Sequence, residues 1–244
     1  MGIKYRVNED FFNTWTPEMA YVLGYWYADG SLEDASYLRG RYIRVTSVEK
    51  HIIKKMKHWL DSDHTIVVLK PTWPNGRQRY LLRIGSHKLY NALCTLGLYP
   101  NKSLTIQFPQ IPRMCLGDFI RGYLDGDGCV YLQTGHGTKK KITVKKLSVI
   151  FTSGSLIFLK KLNIILRQLI EIRQKRIYQG QRAFQLRYGT SDSIKIFKLL
   201  YGGCQSDLFF KRKFIVFVRY FKLRPSTIDT TIRKILLENG HVVK

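Results

Sequence analysis

The sequence predicts an α+β protein made of two copies of one unit, each running helix, strand, strand, helix, strand, strand, helix. Three internal matches carry that prediction. "YVLGYWYADG" (21–30) is answered by "FIRGYLDGDG" (119–128) at an offset of 98, and "IRVTS" (43–47) by "VIFTS" (149–153) at 106. "NGRQRYLLRIGS" (75–86) is answered by "QGQRAFQLRYGT" (179–190) at 104. The blocks keep their order, and the 8-residue gain between the first two falls at "TGHGTKKK", where a loop insertion belongs.

Each unit opens with an apolar, aromatic helix that ends in Asp-Gly, and Tyr21, Tyr25, Trp26 and Tyr27 read as core. The chain then becomes extended, over 39–47 in the first unit and over 129–133 and 142–152 in the second. Alternation in "RYIRVTS" turns Ile43 and Val45 inward and Tyr42, Arg44 and Thr46 outward. "EKHIIKKMKHWL" places Ile52, Ile53, Met56, Trp59 and Leu60 on one helical face, and "SLIFLKKLNIILRQL" does the same with Leu156, Leu159, Leu162 and Leu166. Two hairpins follow, with tips at Pro74-Asn75-Gly76 and Gln179-Gly180, where glycine would supply a positive φ. Helices at about 86–96 and 190–201 close the units. The units span 1–98 and 113–220; "YPNKSLTIQFPQIP" (99–112), with three prolines, links them. The tail, 221–244, carries a short amphipathic helix, "STIDTTIRKILLENG", expected to clasp the sheet.

The chain of 244 residues holds 41 Lys and Arg against 17 Asp and Glu, a net charge of +24, which points to an anionic partner and first to nucleic acid. The excess is uneven: residues 1–110 carry +6 and residues 111–244 carry +18, much of it in "KKKITVKK", "RQKR" and "FFKRK". The outward strand faces carry Arg77, Arg79 and Arg83 in the first copy and Gln181, Gln185 and Arg187 as the matching set in the second, side chains suited to phosphates and base edges. Acidic residues are nearly absent from the strands so read. Lys139, Lys141 and Lys145 extend this surface, and the partner expected is double-stranded DNA. Arg121 and Asp118 read as a helix-surface pair.

Other classes fit less well. No apolar run reaches the roughly 18 residues of a spanning helix, no leader is expected, and Gly2 lacks the Ser or Thr of a myristoylation signal. Cys94, Cys115, Cys129 and Cys204 form no C-x-x-C pair and read as reduced, buried thiols of an intracellular protein, bacterial or organellar. The six histidines show no zinc spacing.

"VLGYWYADG" and "IRGYLDGDG" resemble the two signature motifs of the monomeric LAGLIDADG homing endonucleases. "LGLYPNKSLTIQFPQIP" before the second motif and "LFFKRKFIVF" near the end agree, so the resemblance covers roughly residues 15–235. It implies saddle-shaped sheets, mixed or antiparallel, packed around two central motif helices in a monomer with pseudo-twofold symmetry. A lone Asp-Gly marks only a turn; two copies within repeats say more. Gly24 and Gly122 would let the two helices cross with backbones nearly touching. Asp29 and Asp127 would then meet at the helix ends, where like charges and helix dipoles make the arrangement costly unless divalent cations neutralise it. Mg²⁺ suits such oxygen ligands, with Mn²⁺ as substitute and Ca²⁺ supporting binding without cutting.

The resemblance further implies that the carbonyls of Ala28 and Gly126 complete the metal sites, that Lys102 and Lys213 are the basic residues beside them, and that a double-strand break with short 3′ overhangs results in a long asymmetric target. Within "FFKRK", Lys211 or Arg212 could take the place of Lys213. Two departures stand out. The motif's first acidic position is Tyr27 in one copy and Asp125 in the other, and Ser47 and Ser153 occupy the places of water-positioning amides. The rival function is an intron-RNA-binding maturase of the same fold; retention of both aspartates argues for cutting.

Overall fold

The computed structural model describes residues 5–38, 40–71, 73–136, 142–204 and 209–242. The first half comprises α1 (Pro17–Asp29), β1 (Gly30–Ala35), β2 (Gly40–Ser47), α2 (Lys50–Trp59), β3 (Val67–Leu69), β4 (Arg79–Gly85) and α3 (His87–Thr95). The second repeats the order with α4 (Leu116–Asp127), β5 (Gly128–His136), β6 (Ile142–Ser153), α5 (Leu156–Ile170), β7 (Ile177–Gln179), β8 (Phe184–Tyr188) and α6 (Thr190–Tyr201). Two further helices follow, α7 (Lys211–Leu223) and α8 (Thr230–Glu238). The sheets have matching orders, β1-β2-β4-β3 and β5-β6-β8-β7, and every pairing is antiparallel.

Helix α1 starts where Thr16 Oγ1 accepts from Met19 N at 3.1 Å and Pro17 takes the first turn. It is buried on all sides from Met19 to Tyr27, as its unbroken apolar run demands. Its partner is α4, and the two cross backbone to backbone. A Cβ on Gly24 would lie 2.0 Å from Phe119 O, and one on Gly122 would lie 2.1 Å from Tyr21 O. No other residue fits either position. Each sheet packs its inner face on these helices through Ile43, Val45, Leu82 and Ile84 in one half and Val149, Phe151, Leu186 and Tyr188 in the other. Helices α2 and α5 cover the sheets with Ile52, Ile53, Met56 and with Phe158, Leu159, Leu162, Leu166.

Several details differ from the sequence reading. Strand β1 begins at Gly30 itself, so each Asp-Gly passes from helix to strand without a loop. Gly76 and Gly180 lie outside the left-handed region; the turns close instead through Gly76 N donating to Trp73 O and Gly180 N donating to Ala183 O. Leu156 is half-buried, and Phe158 takes the inner place. Arg121 is not on the surface. It is 1% exposed, donating to Leu200 O at 2.7 Å and to Asp118 Oδ1 at 2.7 Å, which spans α4 and α6. Helix α8 packs on α6 and not on a sheet, with an ion pair between Lys198 and Asp229. Of the four cysteines only Cys115 is buried; Cys94 and Cys129 are exposed. The aromatic residues of α7 pack against Phe197 and Tyr201 of α6.

Candidate active site

The crossing at Gly24 and Gly122 brings the C-terminal ends of α1 and α4 side by side. Asp29 and Asp127 are the last residues of those helices. A Cβ on Gly126, the neighbour of Asp127, would stand 2.3 Å from Ala28 Cβ and 3.4 Å from Asp29 Oδ2. Both aspartates are solvent-accessible, yet protein surrounds their carboxyl groups densely enough to govern their titration. Burial and then the charge of Asp29 push Asp127 up to about 6. Burial also raises Asp29, against the Tyr25 hydroxyl and Lys213, which hold it down.

Two buried lysines face this pair. Lys102, in a single 3-10 turn at Lys102–Leu104, is 6% exposed and donates to Tyr27 O at 2.7 Å. Lys213, in the first turn of α7, is 5% exposed and donates to Asp125 O at 2.8 Å, Gly128 O at 2.7 Å and Leu124 O. Carbonyls at and just past the C-terminal ends of the two helices thus accept from ammonium groups. Burial lowers both lysines, Lys213 to about 8. Both ammonium groups hold both carboxylates down. Lys211 and Arg212 stay on the outside of α7, where Arg212 Nε pairs with Glu49 Oε1 at 3.3 Å.

Ser47 and Ser153 end β2 and β6 as buried hydroxyls. Each accepts from a backbone amide two residues on, Glu49 N and Ser155 N, both at 3.1 Å, which fixes the turn into the next helix. The Tyr123 hydroxyl lies beside Ser153 and donates to Thr152 O at 2.8 Å. Asp125 is wholly buried and accepts from Tyr21 OH at 2.9 Å and Phe210 N at 2.8 Å, so it ties α4 to α1 and to the start of α7. In the other copy, Tyr27 OH donates to Leu96 O at 2.6 Å.

The sheets' outer faces carry the expected residues in part. Arg44, Arg83, Tyr42 and Thr46 stand on one face of the first sheet, with the Arg83 guanidinium 3.4 Å from the centre of the Tyr42 ring. Gln185 and Arg187 stand on the second sheet, Arg187 Nε donating to Gln185 Oε1 at 2.9 Å. Arg79 opens β4, while Arg77 and Gln181 lie in the turns just before β4 and β8. Lys145 is in β6, and Lys139 and Lys141 lie outside the described residues. The face is less purely basic than the sequence suggested. Strand β1 contributes Glu33, which holds Arg83 in two hydrogen bonds and lies 3.8 Å from Arg44, while Asp34 lies on the opposite face, 3.7 Å from Arg41.

The second half, residues 115–202, matches the family model described as a LAGLIDADG-like domain. Over nearly the whole chain, solved structures are similar, three of them as follows. The LAGLIDADG meganuclease I-AabMI bound to uncleaved DNA is 10% identical with a TM-score of 0.55, covering 93% of this chain and 99% of that one. Meganuclease I-SmaMI bound to uncleaveable DNA is 12% identical with a TM-score of 0.57, covering 92% and 96%. The homing endonuclease I-LtrWI bound to target DNA is 12% identical with a TM-score of 0.54, covering 94% and 97%. I-SmaMI has also been solved on an uncleaved DNA target in the presence of calcium ions. The second half carries a LAGLIDADG-like domain, and the chain as a whole has the two-repeat fold of these structures. No curated protein matches the chain by sequence. In that fold α1 and α4 are the two central helices, and Asp29 and Asp127 are their last residues.

The chemistry of the donors fits a divalent cation. Two hard-oxygen carboxylates repel at the ends of two helices whose dipoles add negative potential. Among the described residues no group of three or more His, Cys, Asp or Glu gathers as a closed metal cage. A cation held here would keep places for backbone oxygens, water and phosphate, as an open site for Mg²⁺ does.

Proposed function

We propose that the protein is a site-specific, divalent-metal-dependent DNA endonuclease of the homing type, cutting both strands of a long asymmetric target and leaving short 3′ overhangs. The observation that carries this reading is the convergence of Asp29 and Asp127 beneath the Gly24–Gly122 crossing, with a buried lysine beside each. The similar structures are described as complexes with DNA, and the charge of +24 suits the same partner.

Asp29 and Asp127 hold the cations, with the carbonyls of Ala28 and Gly126 as further ligands. A bound Mg²⁺ supplies Lewis-acid polarisation of the scissile phosphate, readier ionisation of an attacking water and stabilisation of the departing 3′ oxygen. Lys102 and Lys213 place positive charge where phosphorane charge develops. Ser47 and Ser153, held by the backbone amides of Glu49 and Ser155, present hydroxyl oxygens to water beside each carboxylate. The outer strand faces grip the duplex: Tyr42, Arg44, Thr46, Arg77, Arg79 and Arg83 on one half, Lys145, Gln181, Gln185 and Arg187 on the other, with Lys139 and Lys141 in the adjoining loop. In this reading the helix crossing does the chemistry and the strands read the bases.

The test is selection of cleaved duplexes from a random or genomic library with Mg²⁺, run beside Asp29→Asn and Asp127→Asn. Each single change should abolish double-strand cutting or reduce it to nicking, with binding retained in Ca²⁺. Full double-strand cutting by either variant would overturn the reading.

A further inference from the structure

The two carboxylates do not sit in equal surroundings. Beside Asp127 opens a pocket of about 270 Å³ whose lining includes Lys102, Tyr123, Ser153, Gly154 and Arg182. Arg182 comes from the turn between β7 and β8. Phe184, two residues later, pairs with Ser153 at the end of β6, so this turn overhangs the catalytic end of the second sheet. The guanidinium is exposed, and among the described residues it makes no hydrogen bond, ion pair or ring contact. It is a free cation beside a carboxylate and a buried lysine.

The first repeat offers no counterpart. The position matching Arg182 at the offset of 104 is Gln78, whose side chain accepts from Tyr80 OH at 3.0 Å. The extra basic residue on the other side, Arg212, is paired with Glu49. Glu49 follows Ser47 by two residues; its match in the second repeat is Ser155, a neutral buried side chain donating to Ile106 O at 2.6 Å. The Asp127 side therefore has two cations free of any carboxylate bridge. The Asp29 side has Lys213 and an arginine already neutralised.

We propose that Arg182 grips the phosphate attacked at the Asp127 side, so that the two strands are cut at unequal rates and the Asp127 strand goes first. This rests on the nuclease reading above and adds to it a residue and an order of events. The physical reason is that a guanidinium offers a planar fork to phosphate oxygens and gains most as charge builds there. The Asp29 strand lacks that help and is cut second, from the nicked complex.

The experiment uses a selected duplex labelled separately on each strand, and the full chain as wild type, Arg182→Gln and Gln78→Arg. In Arg182→Gln, cutting of the strand served by Asp127 should slow by about tenfold or more while the other strand stays within about twofold. Gln78→Arg should narrow the wild-type bias from the opposite side. A second readout needs no cleavage: in EDTA, the slope of log affinity against log salt should shrink by about one for Arg182→Gln, the loss of one phosphate contact. Equal slowing of both strands, no strand bias in the wild type, or an unchanged salt slope overturns the proposal. If the wild type cuts nothing, the nuclease reading fails while the salt slope still decides whether Arg182 contacts phosphate.

Discussion

Glu33 and Arg83 lock together across the open face of the first sheet, Nη2 to Oε1 at 2.9 Å and Nε to Oε1's partner oxygen, Oε2, at 3.1 Å. The bonds from Arg83 hold the Glu33 carboxyl below its usual range, so the pair stays charged near neutral pH. On the surface proposed to face DNA, an acid opposes loose phosphate binding and holds the arginine fork in one place. Glu33→Gln should raise affinity for unrelated duplex several-fold, steepen the salt dependence and reduce discrimination between the selected target and single-base variants. Competition binding at several salt concentrations measures all three. Because the pair is solvent-exposed, unfolding free energy should change by less than about 1 kcal/mol.

Gly24→Ala and Gly122→Ala each push a methyl into the backbone of the partner helix, at separations no side-chain rotamer can relieve. The helices must move apart, opening the most closely packed part of the core. We expect a loss of about 3 kcal/mol for each. The melting temperature would then fall by roughly 6–12 °C for a chain of this size. Calorimetry and denaturant titration read this directly, and a shift under 1 °C would contradict the described crossing.

Asp127 titrates near 6 in the fold against an ordinary 3.8. The sign follows: a raised carboxyl disfavours the ionised form, so its cost is full above about pH 6 and disappears as the pH falls towards 3.8. This group therefore makes the metal-free protein more stable on mild acidification, and Asp127→Asn should remove that contribution. Asp29→Asn should lower the Asp127 midpoint by removing the repelling charge, which carboxyl NMR would follow. A cation competes with the same proton, so Mg²⁺ affinity should weaken by about tenfold per pH unit below the midpoint.

Lys213→Met sets two effects against each other. The change removes a buried ammonium, which favours the variant, but strips three carbonyls of a charge-assisted donor and leaves buried Asp125 without its main compensating charge. Breaking one partner of a buried charge pair is the larger effect, and we expect a loss of about 3 kcal/mol. Asp125→Asn in the same chain should recover part of it, a coupling that a double-mutant cycle resolves.

The repeat was legible because its carriers are local: two Asp-Gly endings, two hairpin blocks, and glycines whose spacing survives in the chain. The helix partners of Gly24 and Gly122 could be inferred because the same residue recurs at the same place in each motif. Strand β1 escaped notice because "GSLEDA" pairs two acids with a glycine start and reads as a turn. Its acids make sense only against Arg83 and Arg41, which lie 50 and 7 residues away in sequence. Helix α7 did have a signal, with Phe214, Phe217, Val218 and Phe221 at helical spacing, obscured by the basic residues between them. The burial of Arg121 and the isolation of Arg182 depend on contacts between distant segments, and no spacing rule encodes them.

That both lysines act on both carboxylates has a further consequence. A chain severed between Leu104 and Pro112 leaves Lys102 with Asp29 and Lys213 with Asp127, so each piece lacks half of the charges that the proposed double-strand break draws on. Such pieces should cut both strands only when they reassociate, and the protein lends itself to conditional reconstitution from two silent fragments.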